Sequence, residues 1–318
     1  MKKFFLKLKP YLRWFVLGAI FYFLGTALKK QWPGVTAIEI SRQGWMCVGL
    51  GWACTLLAQT WAGVVWGWIL REFNPKTDLN WAALMFLKTN VAKYLPGNLW
   101  HLYGRIVAAQ KLGFSGGEAT LSVILEALLM AASAILMGGL FAQSQNWGLQ
   151  VAILLLVAAG VHPRILSPIA QLLCKIKAKA FRDSTSDVCH IQRYPVRPWV
   201  GELIFLVFRG SGFFWVISAL SPVSLNQVPY IISAFSFAWL CGLVIPGAPG
   251  GIGVFETAAL AMLGPHFPPG IILSAVALYR AISILAEGGG AGLAWLISNQ
   301  IDRQPTPEML LVCERFRV

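Results

Sequence analysis

The chain has 318 residues, of which 57% are hydrophobic and 12% charged, and its mean hydropathy is +0.65. That balance excludes an ordinary soluble domain, and several apolar stretches reach the roughly 20 residues that cross a bilayer. The net charge of +13 comes from 26 basic and 13 acidic residues, yet no basic run alternates with aromatics on a polar module, so nucleic acid is not an expected partner.

Met1–Arg13 carries Lys2, Lys3, Lys7, Lys9 and Arg13 ahead of an apolar run from Trp14 to Leu28. A signal peptide cut after Ala27 has the same outline. Lys29 and Lys30 follow at once and more apolar runs come later, which favours an uncleaved first helix. A second span is expected over 44–70, where Trp45, Trp52, Trp61, Trp66 and Trp68 include rings suited to the membrane interface. Residues 81–113 read as two short helices broken at Pro96 and Gly97, too short to cross and each carrying Lys or Arg, the pattern of a re-entrant hairpin or an interfacial pair. Ser115-x-x-Glu118 has capping-box spacing before a third span at 119–141, and a fourth is expected at 147–161.

Residues 162–198 form a basic linker with Arg164, Lys175, Lys177, Lys179, Arg182, Arg193 and Arg197 against Asp183 and Asp187. By the positive-inside rule this linker, the N-terminus and the C-terminal tail with Arg303, Arg315 and Arg317 are cytoplasmic. Four crossings before the linker satisfy the rule only if the 81–113 hairpin does not cross. The pattern then returns: a span at 199–220, a broken hairpin at 229–264, and a long span at 270–297. Pro96 and Pro246 differ by 150 positions, the helix starts near 119 and 270 by 151, and the spans near 44 and 199 by 155. One copy enters from inside and the other from outside. The expected fold is therefore a single all-α polytopic membrane domain over 1–318. It has six spans and two broken hairpins, arranged as inverted repeats at 44–161 and 199–297, as in many secondary transporters.

The second hairpin turns on Leu243–Glu256, LVIPGAPGGIGVFE. Pro246, Gly247, Pro249, Gly250, Gly251 and Gly253 prevent a continuous helix there. Backbone without internal hydrogen bonds survives at membrane depth only beside protein or a watery cavity. Gly250 and Gly251 are expected to serve backbone geometry. The six cysteines (Cys47, Cys54, Cys174, Cys189, Cys241, Cys313) and four histidines (His101, His162, His190, His266) have no metal-binding spacing, so neither a metal nor another cofactor is expected; Cys47 and Cys54 read as packing residues.

K-Y-L-P-G at Lys93–Gly97, the basic linker, and P-G-G-x-G-x-x-E at Pro249–Glu256 followed by Arg280 resemble the lysylphosphatidylglycerol synthase transmembrane-region family. That family includes the flippase-like domain of the multiple peptide resistance factor. The resemblance covers about residues 10–300 and implies movement of a lipid between leaflets. Only about 20 residues follow the last span in the sequence, so an aminoacyl-transferase domain is not expected and lysyl-lipid synthesis is not implied. Membrane lipids are the expected partners, and the reading leaves room for a separate lipid-modifying enzyme and for a homo-oligomer. The plasma (inner) membrane is the expected location.

Ionisable groups within spans are costly, so they pair or line a cavity. The candidates for substrate contact are Arg105, Glu126, Arg209, Glu256, Arg280 and Glu287, with Gly250, Gly251 and Gly253 at the broken segment. Guanidinium groups grip phosphate bidentately, and helix N-termini at the breaks add donors for an anion. Glu256 would hold an arginine in the empty site or carry a coupling proton. Glu256 and Arg280, 24 residues apart across a helix turn, are expected to face each other, and Arg280 and Glu287 to share a helix face. Lys88 and Lys93 are expected to snorkel to the cytoplasmic surface. A small-solute transporter fits inverted repeats equally well. A membrane-embedded lipid enzyme lacks a G-x-x-x-x-G-K-[ST] loop and a D-x-x-D cluster, so no catalytic role is expected.

Overall fold

In the computed structural model the described residues are 40–95, 99–140, 147–162, 194–244 and 253–303, with Tyr22, Thr26, Lys29, Arg164 and Pro168. The apolar run 14–28, apart from Tyr22 and Thr26, lies outside them, as do most of the basic linker and the C-terminal tail. So do the breaks Pro96, Gly97, Pro246, Gly247 and Pro249, and the glycines Gly250 and Gly251. Every regular element among the described residues is helical. Ser41 starts α1 (Arg42–Arg71), its hydroxyl accepting from Gly44 N–H at 3.1 Å. Asp78 caps α2 (Leu79–Asn90) by accepting from the amides of Asn80 and Trp81. A 3-10 turn, Val91–Tyr94, follows, and α3 (Trp100–Lys111) completes the first hairpin. Gly113 closes α3 with a φ of 94°, a backbone setting that glycine adopts without strain.

The capping box read at Ser115 forms: Ser115 N–H donates to Glu118 Oε2 at 2.8 Å and Glu118 N–H to Ser115 Oγ at 3.2 Å, opening α4 (Gly116–Leu140). Next come α5 (Trp147–Gly160), α6 (Val196–Leu220), α7 (Val228–Val244), α8 (Val254–Leu263) and α9 (Pro269–Arg303). Among the described residues, α1, α4, α6 and α9 are long and apolar enough to cross a membrane. The hairpin arms α2 and α3 have 12 residues each, about 18 Å at 1.5 Å per residue and short of the roughly 30 Å of hydrocarbon. The stretch expected to be a fourth span forms α5, whose 14 residues are also shorter than a bilayer needs. Leu155, Leu156, Leu285, Leu293 and Leu296 stay exposed, as they can where the solvent is lipid.

The long helix α1 is the centre of the packing, with α6, α2 and α9 against it. Small residues permit the approach, as is usual where no hydrophobic effect drives helices together. A methyl added at Gly212 of α6 would lie 3.2 Å from the carbonyl oxygen of Gly51, and one at Gly63 would lie 2.6 Å from Cα of Ala83 on α2. Polar tips are satisfied across the same seams. Trp61 Nε1 donates to the Gly201 carbonyl at 2.9 Å, and Trp66 Nε1 to Ser122 Oγ at 3.2 Å. Four rings from four helices, Phe213, Phe235, Phe255 and Tyr279, form an aromatic core with centroids 5.3–6.1 Å apart for the pairs that Phe213 makes. This core lies directly beside Arg209. Cys47, Cys54 and Cys241 are free thiols.

Candidate functional site

Gln59, Asn90, Lys93, Tyr94 and Glu287 form a connected polar seam in the interior of the bundle. Its centre is Glu287, set on α9 just ahead of a run of glycines. A methyl on one of them, Gly290, would press on Leu56 at 3.1 Å and Leu87 at 3.2 Å, so α9 lies tight against α1 and α2. Glu287 Oε1 accepts from Gln59 Nε2 at 3.0 Å and from Lys93 Nζ at 2.6 Å, and Oε2 accepts from the Tyr94 hydroxyl at 2.9 Å. Asn90 Nδ2 holds the far side of Gln59 at 2.9 Å. The 3-10 turn after α2 is what aims Lys93 and Tyr94 inward. It is followed by extended Leu95, as the residue before a proline prefers.

Lys93 therefore does not snorkel to the surface. Its ammonium forms an ion pair with an almost fully buried carboxylate, because a charge-assisted bond at that depth outweighs the reach to water that a long stem allows. Lys93 also lies within electrostatic reach of Arg209 and Arg105, and Tyr94 within reach of Arg209 and Arg280.

Arg209 of α6 is only 2% exposed. Among the described residues no carboxylate lies within ion-pair distance of it. Its Nη1 makes a long contact to Ser283 Oγ at 3.5 Å, and its Nε has no partner among the described residues. Two aromatic faces flank the guanidinium, Trp239 at 4.8 Å and Tyr279 at 5.4 Å. Such faces offset part of the desolvation, about 2 kcal/mol each at best, and leave the hydrogen-bonding edge available.

Two ion pairs flank this centre. Glu256 accepts from Arg280 Nη2 at 3.0 Å, with side-chain exposures of 23% and 16%. The same Oε2 accepts from Gly253 N–H at 2.7 Å and so caps α8. Gly253 has a φ of 88°, the left-handed side that favours glycine. On the other flank Arg105 Nη1 donates to Glu126 Oε2 at 2.5 Å, with exposures of 4% and 6%, and its guanidinium lies over Phe86 at 3.9 Å.

The structure thus brings Arg105 against Glu126 and Arg280 against Glu256, and places Glu287 and Arg209 between the pairs. Arg280 and Glu287, on one face of α9, engage different partners. Sequence reasoning missed Gln59, Asn90 and Tyr94, which complete the shell of Glu287, and it missed Glu202. Glu202 is 0% exposed on α6, and among the described residues neither carboxyl oxygen has a hydrogen-bond partner. An acidic residue inside the apolar run 199–220 was the available signal for it.

The class of protein this defines is an all-α chain with four membrane-length apolar helices, counted among the described residues, around a charged interior seam. No protein-family model and no curated protein matches the chain.

Proposed function

We propose that the chain moves an anionic lipid between membrane leaflets, with the head group passing along the seam from Arg280 to Arg209 and Lys93. The carrying observation is Arg209, a buried guanidinium with aromatic walls and, among the described residues, no carboxylate partner. A permanent charge in that position is costly unless a transient anion completes it, and a phosphate oxygen is the acceptor that a guanidinium fits. In this reading the fold is six spans and two broken hairpins in inverted repeat, with the N-terminus, linker and tail cytoplasmic. The resemblance to the lysylphosphatidylglycerol synthase transmembrane region supports it. So do the two ion pairs: each joins the second arm of a hairpin to the following helix, at positions 105 and 126 and again at 256 and 280, offsets of 151 and 154.

The test is purified protein in liposomes carrying a trace of head-group-labelled anionic lipid. A membrane-impermeant quencher should reach the inner-leaflet pool with wild-type protein and not with Arg209→Gln. Exchange no faster than in protein-free vesicles would overturn the proposal. Uptake of a water-soluble anion without lipid exchange would assign the seam to solute transport instead.

A further inference from the structure

Glu202 has no part in the head-group path, and its surroundings are unusual for a carboxylate. Trp61 of α1 bonds the carbonyl of the adjacent Gly201, and Val65 and Trp68 pack on Gly201 itself. Phe205 and Leu206, the next turn of α6, are buried in the core shared with Trp66 and Phe86. Two charges act on Glu202: Glu126 from α4 and Arg105 from α3. Among the described residues, the other elements packed on α6 bring no charge to it. From α1 come Trp61 and Trp68. From α7 comes Trp239, its ring edge-on to Phe205. From α9, Tyr279 and Ser283 meet Arg209, two turns further along α6. Arg197, in the first turn of α6, lies over the Trp68 ring at 4.5 Å.

Charge balance decides what this arrangement can hold. Arg105 contributes one positive charge and already commits it to Glu126 at 2.5 Å. If Glu202 were ionised as well, the group would carry an uncompensated negative charge with no hydrogen bond to either oxygen, in a place closed to water. A proton restores the balance. We propose that Glu202 is a proton-binding site, and that its exchange of one proton with the aqueous phase couples lipid movement to a proton gradient. The second half of that statement rests on the translocation reading; the first does not.

The coupling runs through Arg105. In a conformation that admits water to Glu202, the proton passes from the carboxyl oxygen to a water molecule, and the new carboxylate competes with Glu126 for the guanidinium, whose Nε has no partner among the described residues. Arg105 is then shared, and the tie between α3 and α4 loosens. When a proton returns, Arg105 goes back to Glu126 alone. Lys93 lies within electrostatic reach of Arg105, so the shift alters the field at the Glu287 and Arg209 end of the seam.

Two measurements test this separately. Infrared difference spectra of the membrane-embedded protein, taken between acidic and alkaline buffers, should contain the carbonyl stretch of a titrating carboxylic acid. That band should vanish in Glu202→Gln, a near-isosteric change that mimics the neutral acid, and persist in Glu256→Gln. In proteoliposomes a gradient of one pH unit should bias a one-proton cycle about tenfold between inward and outward lipid movement, and Glu202→Gln should show equal rates in both directions. A band that survives in Glu202→Gln overturns the proton site. A wild-type protein that moves lipid with no directional bias overturns the coupling while leaving translocation intact. A band lost in Glu202→Gln with no lipid exchange in the wild type keeps the proton site and removes the translocation reading.

Discussion

Two ion pairs, each between consecutive helices, differ in their setting. Arg105–Glu126 ties the arm α3 to α4, and Arg280–Glu256 ties the arm α8 to α9. In the first the arm carries the cation; in the second it carries the anion. The first is 2.5 Å long and almost dry, while the second is 3.0 Å long with its carboxylate 23% exposed. Burial, more than sequence position, sets what such a pair does. A dry pair holds because neither partner can stand alone, whereas a pair open to water can part and meet a ligand.

The comparison breaks most readily at the dry pair. Arg105→Gln strands Glu126 beside Glu202 and should cost about 3–5 kcal/mol, read as a lower melting temperature in detergent. A loss below about 1 kcal/mol would mean that water reaches this pair too. Next in size is the double-mutant cycle on Glu256→Gln and Arg280→Gln. It should give a coupling of about 1 kcal/mol, as expected for a partly hydrated pair. Arg280→Gln alone should abolish lipid exchange, and the double variant should regain stability but not exchange. Additive stability effects would dissolve the contact.

Gly253→Ala sharpens the second site without touching a charge. Among the described residues no neighbour crowds a methyl there, so its cost of about 1–2 kcal/mol is the conformational cost of the positive φ. It should appear as fraying of α8 by hydrogen exchange. The smallest effect is that of salt. Raising ionic strength from about 0.1 M to about 1 M shortens the Debye length from roughly 10 to 3 Å. The Glu256–Arg280 coupling should fall by a few tenths of a kcal/mol, with the dry pair unmoved.

Much of this layout is legible in the sequence, because it depends on local rules. Ser115 and Glu118 sit at capping-box spacing and cap α4. The apolar runs at 44–70, 119–141, 199–220 and 270–297 become helices within a few residues of those limits. Glu256 and Arg280 meet because a short turn makes their helices antiparallel neighbours. What stayed hidden depends on contacts between distant parts of the chain. The direction of Lys93 is decided by a carboxylate 194 residues away, and a flexible stem offers no local clue. Gln59 and Asn90 are uncharged amides in apolar runs, and their partner appears only when three helices converge. Glu202 stands near the start of its helix, where an acidic residue ordinarily faces water, and the packing of α6 against its neighbours buries it.

One oxygen of Glu256 receives both the amide of Gly253 and the guanidinium of Arg280. The two donors draw on the same lone-pair density, so their bonds are anticorrelated: whatever draws Arg280 away returns the acceptor in full to Gly253. The first turn of α8 therefore stiffens when the pair opens, and the Gly253 amide should exchange more slowly with solvent deuterium while an anion occupies Arg280. The N-terminus of α8 thus registers the state of the cation across from it.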